Sequence, residues 1–187
     1  SYIHEKGADS AKRNLDYWDR LFLEAEELVE GKASKATLVE MLKKLCRIMI
    51  TKNKKILSIV MNNFSLEEII DIKSRMIGTG FVGGKTVGML LARKILSKSK
   101  LIDWKKLSEP HDSFYIGSDI FYSYIVQNRW WKLRMQQKTD EGYYNVAKIL
   151  KEKMLYGVFD EEIREYFQQI IEYFGSSPII VRSSSLL

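Results

Sequence analysis

Four glycines fall within the seven residues Gly78-Thr-Gly80-Phe-Val-Gly83-Gly84, and Lys85-Thr86 follows at once. Glycines let backbone N–H groups turn toward an anion, and a helix starting behind them adds unpaired N–H groups and its dipole. Lys85 supplies a compensating charge, so Gly83, Gly84 and Lys85 are candidate phosphate contacts. A second polar element stands far along the chain. Ile179-Ile-Val-Arg182 is a short β-branched run ending in a cation, followed by Ser183, Ser184 and Ser185. It has the pattern of a buried strand whose polar end opens into a site.

Taken alone, Gly-Gly-Lys also describes a loop whose glycines merely permit tight turns. Three named loops compete for it. A Walker A loop ends as Gly84-Lys85-Thr86 does, but its first glycine belongs at position 79, which is Thr79. Gly78-Thr-Gly80-Phe-Val-Gly83 matches the dinucleotide pattern Gly-x-Gly-x-x-Gly. That motif must leave a strand, and Glu67 to Met76 reads as helix, so the match is read as coincidence. A protein-kinase glycine loop needs valine where Lys85 stands, and no kinase catalytic-loop signature occurs.

The elements that must position these residues are mostly helical. Leu15, Trp18, Leu21, Phe22, Ala25 and Leu28 form one stripe at helical spacing, and Leu38, Met41, Leu42, Leu45, Ile48 and Met49 form another. Two amphipathic helices between Asn14 and Asn62 follow, parted at Gly31 and Ala33-Ser34-Lys35. Ser65 caps a third, with Glu68 completing a capping box. The glycine loop feeds a helix through Val87, Leu90, Leu91 and Ile95. Asp112 to Ser118 reads as strand and turn, and Ser118 as the cap of a helix through Phe121, Tyr124 and Ile125. Tyr143 to Phe174 is helical in two pieces broken near Tyr156-Gly-Val-Phe159, with Asp160 capping the second, and Gly175-Ser-Ser-Pro178 stops it.

The bulk composition sets the frame. A chain of 187 residues that is 45% hydrophobic can bury a real core. Thirty Lys+Arg against 24 Asp+Glu leaves a net charge of +6, which suits a polyanionic ligand, although most lysines lie on solvated helix faces. Cys46 is the single cysteine, which excludes an intramolecular disulfide and suits a reducing cytoplasm; on its helix it reads as a small buried apolar residue. No apolar run approaches the roughly 20 residues of a membrane span, and no signal-peptide core is visible at the N-terminus. His4 and His111 lie in polar stretches without metal-ligand partners and read as surface residues.

Gly83-Gly84-Lys85 opening a helix, Ser113-Phe-Tyr-Ile-Gly-Ser-Asp119 as strand and turn, and Pro178-Ile-Ile-Val-Arg182-Ser-Ser-Ser185 at a later strand end keep a distinctive order and spacing. Together they resemble the PEP/pyruvate-binding domain of phosphoenolpyruvate synthases and pyruvate phosphate dikinases, over roughly Gly78 to Leu187. The resemblance implies a helix-rich mixed α/β fold: a helical N-terminal extension over 1–77, then over 78–187 the N-terminal part of an ATP-grasp-like domain. It implies an ATP-dependent phosphotransferase that uses ATP, Mg²⁺ and a phosphohistidine to interconvert pyruvate and phosphoenolpyruvate. By position Lys85 would contact nucleotide phosphates, with Gly83 and Gly84 beside it. Arg182 would act catalytically on the transferring phosphoryl group, and Ser183 and Ser184 would offer hydroxyl or backbone donors. Phosphoryl transfer needs charge on equatorial oxygens, and a planar guanidinium can meet two of them together. The Mg²⁺ ligands and the phosphohistidine would lie outside this chain, which reads as a fragment, inactive alone. Homo-oligomerisation is compatible with the resemblance.

Two other classes compete with this reading. Asn128-Arg129-Trp130-Trp131-Lys132-Leu-Arg134 sets cations around two indoles and could stack bases in a nucleic-acid-binding module. Its bland counterpart is a helix with buried tryptophans and snorkelling cations. Alternatively, the helical front end is a protein-interaction module and the glycine loop is structural.

Overall fold

The computed structural model describes residues 16–109 and 112–184, with the side chain of Lys105 also left aside. His4 and His111 lie outside the described residues. The fold is helix-rich mixed α/β, with a single two-stranded sheet among the described residues.

Four helices form the front end: α1 (Tyr17–Glu30), α2 (Lys35–Met49), α3 (Lys54–Asn63) and α4 (Leu66–Ser74). Each starts at a side-chain oxygen that accepts an otherwise orphaned N–H. Asp16 accepts from Asp19 N at 2.9 Å, Ser34 from Thr37 N at 3.2 Å, and Asn53 from Lys55 N at 2.9 Å and Ile56 N at 3.2 Å. At α4 the capping box is present in both directions, with Glu68 N donating to Ser65 Oγ and Ser65 N donating to Glu68 Oε2. The Asn53 cap makes three helices of the stretch that periodicity reads as two, because Thr51-Lys-Asn53 breaks the second stripe. The apolar stripes meet in one core around Phe22, Ala25, Leu45, Cys46, Met49, Val60 and Ile69. Burial alone pushes the Cys46 thiol up to about 12.

The remaining elements are β1 (Met76–Ile77), α5 (Gly84–Ser97), α6 (Trp104–Leu107), β2 (Tyr115–Ile116), α7 (Ser118–Gln127), α8 (Trp131–Gln136), α9 (Gly142–Met154) and α10 (Glu161–Phe174). β1 and β2 pair in parallel, Met76 opposite Tyr115 and Ile77 opposite Ile116, and α5 lies on the connection between them. The core of the front end continues into this half through Val82, Val87 and Tyr115. Lys94 on α5 pairs with Glu68 on α4 and ties the two halves together.

Several expectations are corrected here. The run Ile179 to Arg182 is not a buried strand: it has no strand pairing, and Ile180 and Val181 are 77% and 85% exposed. β-branched residues favour a strand only where a pleated, half-buried surface receives them, and the two-residue strands offer no free edge of useful length. The strand expected over Asp112 to Ser118 contracts to Tyr115–Ile116. The helix before the glycine loop ends at Ser74, so the loop leaves the short strand β1 and the premise that it leaves a helix fails. Asp160 stands at the N-cap of α10 but makes no side-chain cap bond.

Candidate functional site

The glycine loop spans Gly78 to Gly83 between β1 and α5, and its shape depends on left-handed backbone. Gly78, Gly80 and Gly83 have φ of 72°, 83° and 84°, a region that a side chain strains. The space is also taken. A Cβ on Gly78 would lie 2.6 Å from Asp119 Oδ1, one on Gly80 2.5 Å from Ser118 Oγ, and one on Gly83 2.3 Å from Ser184 Oγ. Three loop glycines are thus pressed by three polar side chains from elsewhere in the chain.

Two of those side chains stand at the end of β2. The Asp119 carboxylate accepts from Thr79 N at 2.8 Å, Thr79 Oγ1 at 2.9 Å and Ile120 N at 2.8 Å. Ser118 Oγ accepts from Phe81 N at 3.1 Å. Ser118 is therefore not the N-cap of α7 that its sequence context predicts: Gly117 occupies that position, and the hydroxyl reaches across to the loop. Gly117 itself lies against the Thr79 backbone and donates to Ile77 O at 2.8 Å. On the other side Val82 N donates to Met49 O at 3.0 Å, which fastens the loop to the end of α2.

The third side chain comes from the far end of the sequence. Ser184 Oγ accepts from Lys85 N at 3.1 Å and Thr86 N at 3.3 Å, capping α5 across 99 and 98 residues. A hydroxyl oxygen in that position meets two of the N–H groups that a helix start presents to an anion. The structure thus brings Gly83, Gly84, Lys85 and Ser184 together, Gly83 buried and Ser184 half-buried. Arg182 and Ser183 are exposed on the segment leading to Ser184, and Arg182 makes no contact that would fix its guanidinium on the loop. Among the described residues the Lys85 ammonium and the Arg182 guanidinium have no ion pair or hydrogen bond, so both charges are available to a ligand. The Gly80 and Gly84 N–H groups likewise donate to no described residue.

What carries the C-terminal segment to the loop is a cluster that sequence reasoning missed. Arg75, just before β1, donates to Asp112 Oδ1 at 2.6 Å, and Tyr173 on α10 donates to Asp112 Oδ2 at 2.8 Å. Phe114 packs edge-on against Tyr173 and Phe174 at 5.2 and 5.8 Å, and the Arg75 guanidinium lies 5.1 Å from the Phe114 ring. The Tyr173 and Asp112 contacts hold the Arg75 guanidinium above its ordinary value. The end of α10 is pinned beside the sheet, and Gly175, at φ 57°, lets the chain turn away from the helix toward the loop. The short aromatic and β-branched run after Asp112 was visible in sequence, but nothing local linked it to Arg75.

The indole run behaves differently from either reading of it. Trp130 is half-buried, packed against Tyr124 at 5.6 Å, while Trp131 is 44% exposed. Both indoles have aromatic neighbours, Trp131 meeting the Tyr122 ring edge-on at 6.4 Å, and Trp131 keeps the more exposed face.

The donors for a cation are scarcer than those for an anion. Among the described residues no group of three or more His, Cys, Asp or Glu side chains could hold a metal ion, and the Asp119 carboxylate already accepts three hydrogen bonds. No helix among the described residues is long and apolar enough to cross a membrane. No family model matches this chain, and no curated protein or solved structure matches it either.

Proposed function

We propose that this chain carries the phosphate-binding part of an ATP site, belonging to an ATP-grasp-like phosphotransferase of the phosphoenolpyruvate synthase or pyruvate phosphate dikinase type. The observation that carries the reading is the Ser184 hydroxyl on the Lys85 and Thr86 N–H groups. Two motifs that resemblance joins, separated by about half the chain, meet at one helix start. In this reading a phosphate oxygen takes the place of the hydroxyl at those N–H groups, where a full negative charge interacts more strongly with the helix start than a neutral acceptor does. Lys85 and Arg182 supply charge, and the Gly80 and Gly84 N–H groups supply further donors.

The residues fit a polyphosphate but not its Mg²⁺, because among the described residues the carboxylate that reaches the loop, Asp119, is spent on Thr79. The metal's acidic ligands would come from a later part of the nucleotide domain, as would the phosphohistidine from another domain. Pyruvate or phosphoenolpyruvate would be the partner of the whole enzyme, working in the cytoplasm.

Calorimetric titration with Mg-ATP of this chain and of a chain extended past Leu187 tests the proposal. Saturable binding that tightens on extension is expected, with Lys85→Ala and Arg182→Ala each weakening it about ten- to hundred-fold, as for lost hydrogen bonds from charged groups. No binding to either folded chain makes the glycine loop structural and the helical front end an interaction module.

A specific observation favours a second reading. β1, Gly78-Thr-Gly80-Phe-Val-Gly83, α5 and the parallel strand β2 form a strand–loop–helix–strand unit of the kind that binds a dinucleotide. Against it, Asp119 at the end of β2 holds Thr79 rather than standing free for a ribose. NADH binding tighter than ATP binding would decide for this second reading.

A further inference from the structure

We propose that the cleft between α7, α8 and α9 is a second ligand site, remote from the glycine loop, that takes a small amphipathic anion: a carboxylate on an aliphatic tail. The cleft has a volume of about 400 Å³, within the range of ~300–1,000 Å³ that small-molecule pockets span. Its walls are the Phe121 ring, Leu150 and Met154, with Leu150 only 3% exposed. Arg134 and Lys151 also line it, and no carboxylate does.

Arg134 is set for recognition rather than for a structural ion pair. Its Nη1 donates to Gln137 Oε1 at 2.9 Å, and its guanidinium lies 6.0 Å from the Phe121 ring centroid, so one edge and the plane are positioned. The other edge is unused: Nε is buried and donates to nothing, and no hydrogen bond leaves Nη2 among the described residues. Nη2 is therefore the donor that keeps open surface, and it can give a charge-assisted hydrogen bond to one oxygen of a carboxylate. A carboxylate that takes the Nη2 hydrogen bond meets the guanidinium charge while its tail covers the apolar wall of Phe121, Leu150 and Met154. Lys151 adds a second cation for the same head group. The inference is independent of the nucleotide reading, since no residue is shared.

The test compares octanoate with octanol, which has the same tail and no charge, by titration into the unaltered protein with ¹H–¹⁵N spectra as the readout. Saturable octanoate binding is expected, with shifts concentrated at Ala147, Leu150 and Lys151, and octanol binding about ten- to hundred-fold weaker. Arg134→Met should erase that difference in a protein whose remaining spectrum is unchanged. Absence of saturation by octanoate, equal affinity for octanol, or a difference that survives in folded Arg134→Met overturns the proposal. If Arg134→Met does not fold, the octanoate and octanol comparison on the unaltered protein decides alone.

Discussion

Gly117 and Gly88 provide a matched pair in which the same added methyl group should act with opposite signs. Gly117 has φ −64° and ψ 153°, a backbone any residue adopts, so an alanine there meets no conformational strain. The obstacle is contact: the new Cβ would lie 2.1 Å from the Thr79 carbonyl oxygen and 2.8 Å from its C and N. These are backbone atoms, which cannot rotate away, so loop and turn must part by roughly 1.3 Å to restore the 3.4 Å of ordinary contact. That displacement loosens the Gly117 N bond to Ile77 O and the Asp119 bonds to Thr79. Overpacking costs about 1–3 kcal/mol and each weakened hydrogen bond about 1 kcal/mol, so Gly117→Ala should destabilise by about 2–4 kcal/mol. Gly88 is exposed on α5 with nothing within 4 Å of its would-be Cβ. There the helix preference for alanine governs, and Gly88→Ala should stabilise by about 0.8–1 kcal/mol. With a urea slope of about 2 kcal/mol/M, the two denaturation midpoints should differ by about 1.5–2.5 M, on either side of the parent. A Gly117→Ala midpoint equal to the parent's would refute the tight seating of the loop against the turn after β2.

Asp119→Ala should destabilise by about 2–3 kcal/mol, because it strips the acceptor from two N–H groups and a hydroxyl; loss of hydrogen-exchange protection at Thr79 and Ile120, with the front-end helices still protected, is the check. Ser184→Ala removes a cap, so about 1 kcal/mol or less should be lost and the Lys85 and Thr86 amides should exchange faster, while Ser184→Asp should slow them through its charge at the helix start. Cys46 should resist thiol reagents in the native protein and react only on unfolding, since burial pushes its thiol up to about 12. Because that folded value lies above the ordinary 9.0, the unfolded chain loses the thiol proton first; stability is complete below pH 9 and falls by about 1.4 kcal/mol per unit as the pH rises toward 12. Cys46→Ala should show a shallower decline over the same window in urea titrations.

Much of the helical framework was legible in sequence because its causes are local. The stripes around Phe22 and Leu45, the Ser65–Glu68 capping box and the stop at Gly175 each depend on residues within a few positions of one another. So did the identity of the loop glycines, three of which adopt the left-handed backbone that glycine alone enters freely. The failures are equally physical. Ser118 and Asp160 had good capping sequences, but a hydroxyl or carboxylate goes to whichever N–H tertiary packing presents, and for Ser118 that was Phe81. The β-branched run before Arg182 had strand character, yet strand formation requires a partner edge that no local pattern supplies.

The sequence by itself determined the apolar stripes of the front-end helices, the caps at Ser34 and Ser65, and the glycines on which the loop before α5 depends. Tertiary structure decided what those segments touch. Only folding could show that Asp119 holds Thr79 across 40 residues, that Arg75, Asp112 and Tyr173 pin α10 beside the sheet, and that Ser184 then reaches α5 across 99 residues. These contacts depend on the summed geometry of every intervening turn, which periodicity and capping do not encode.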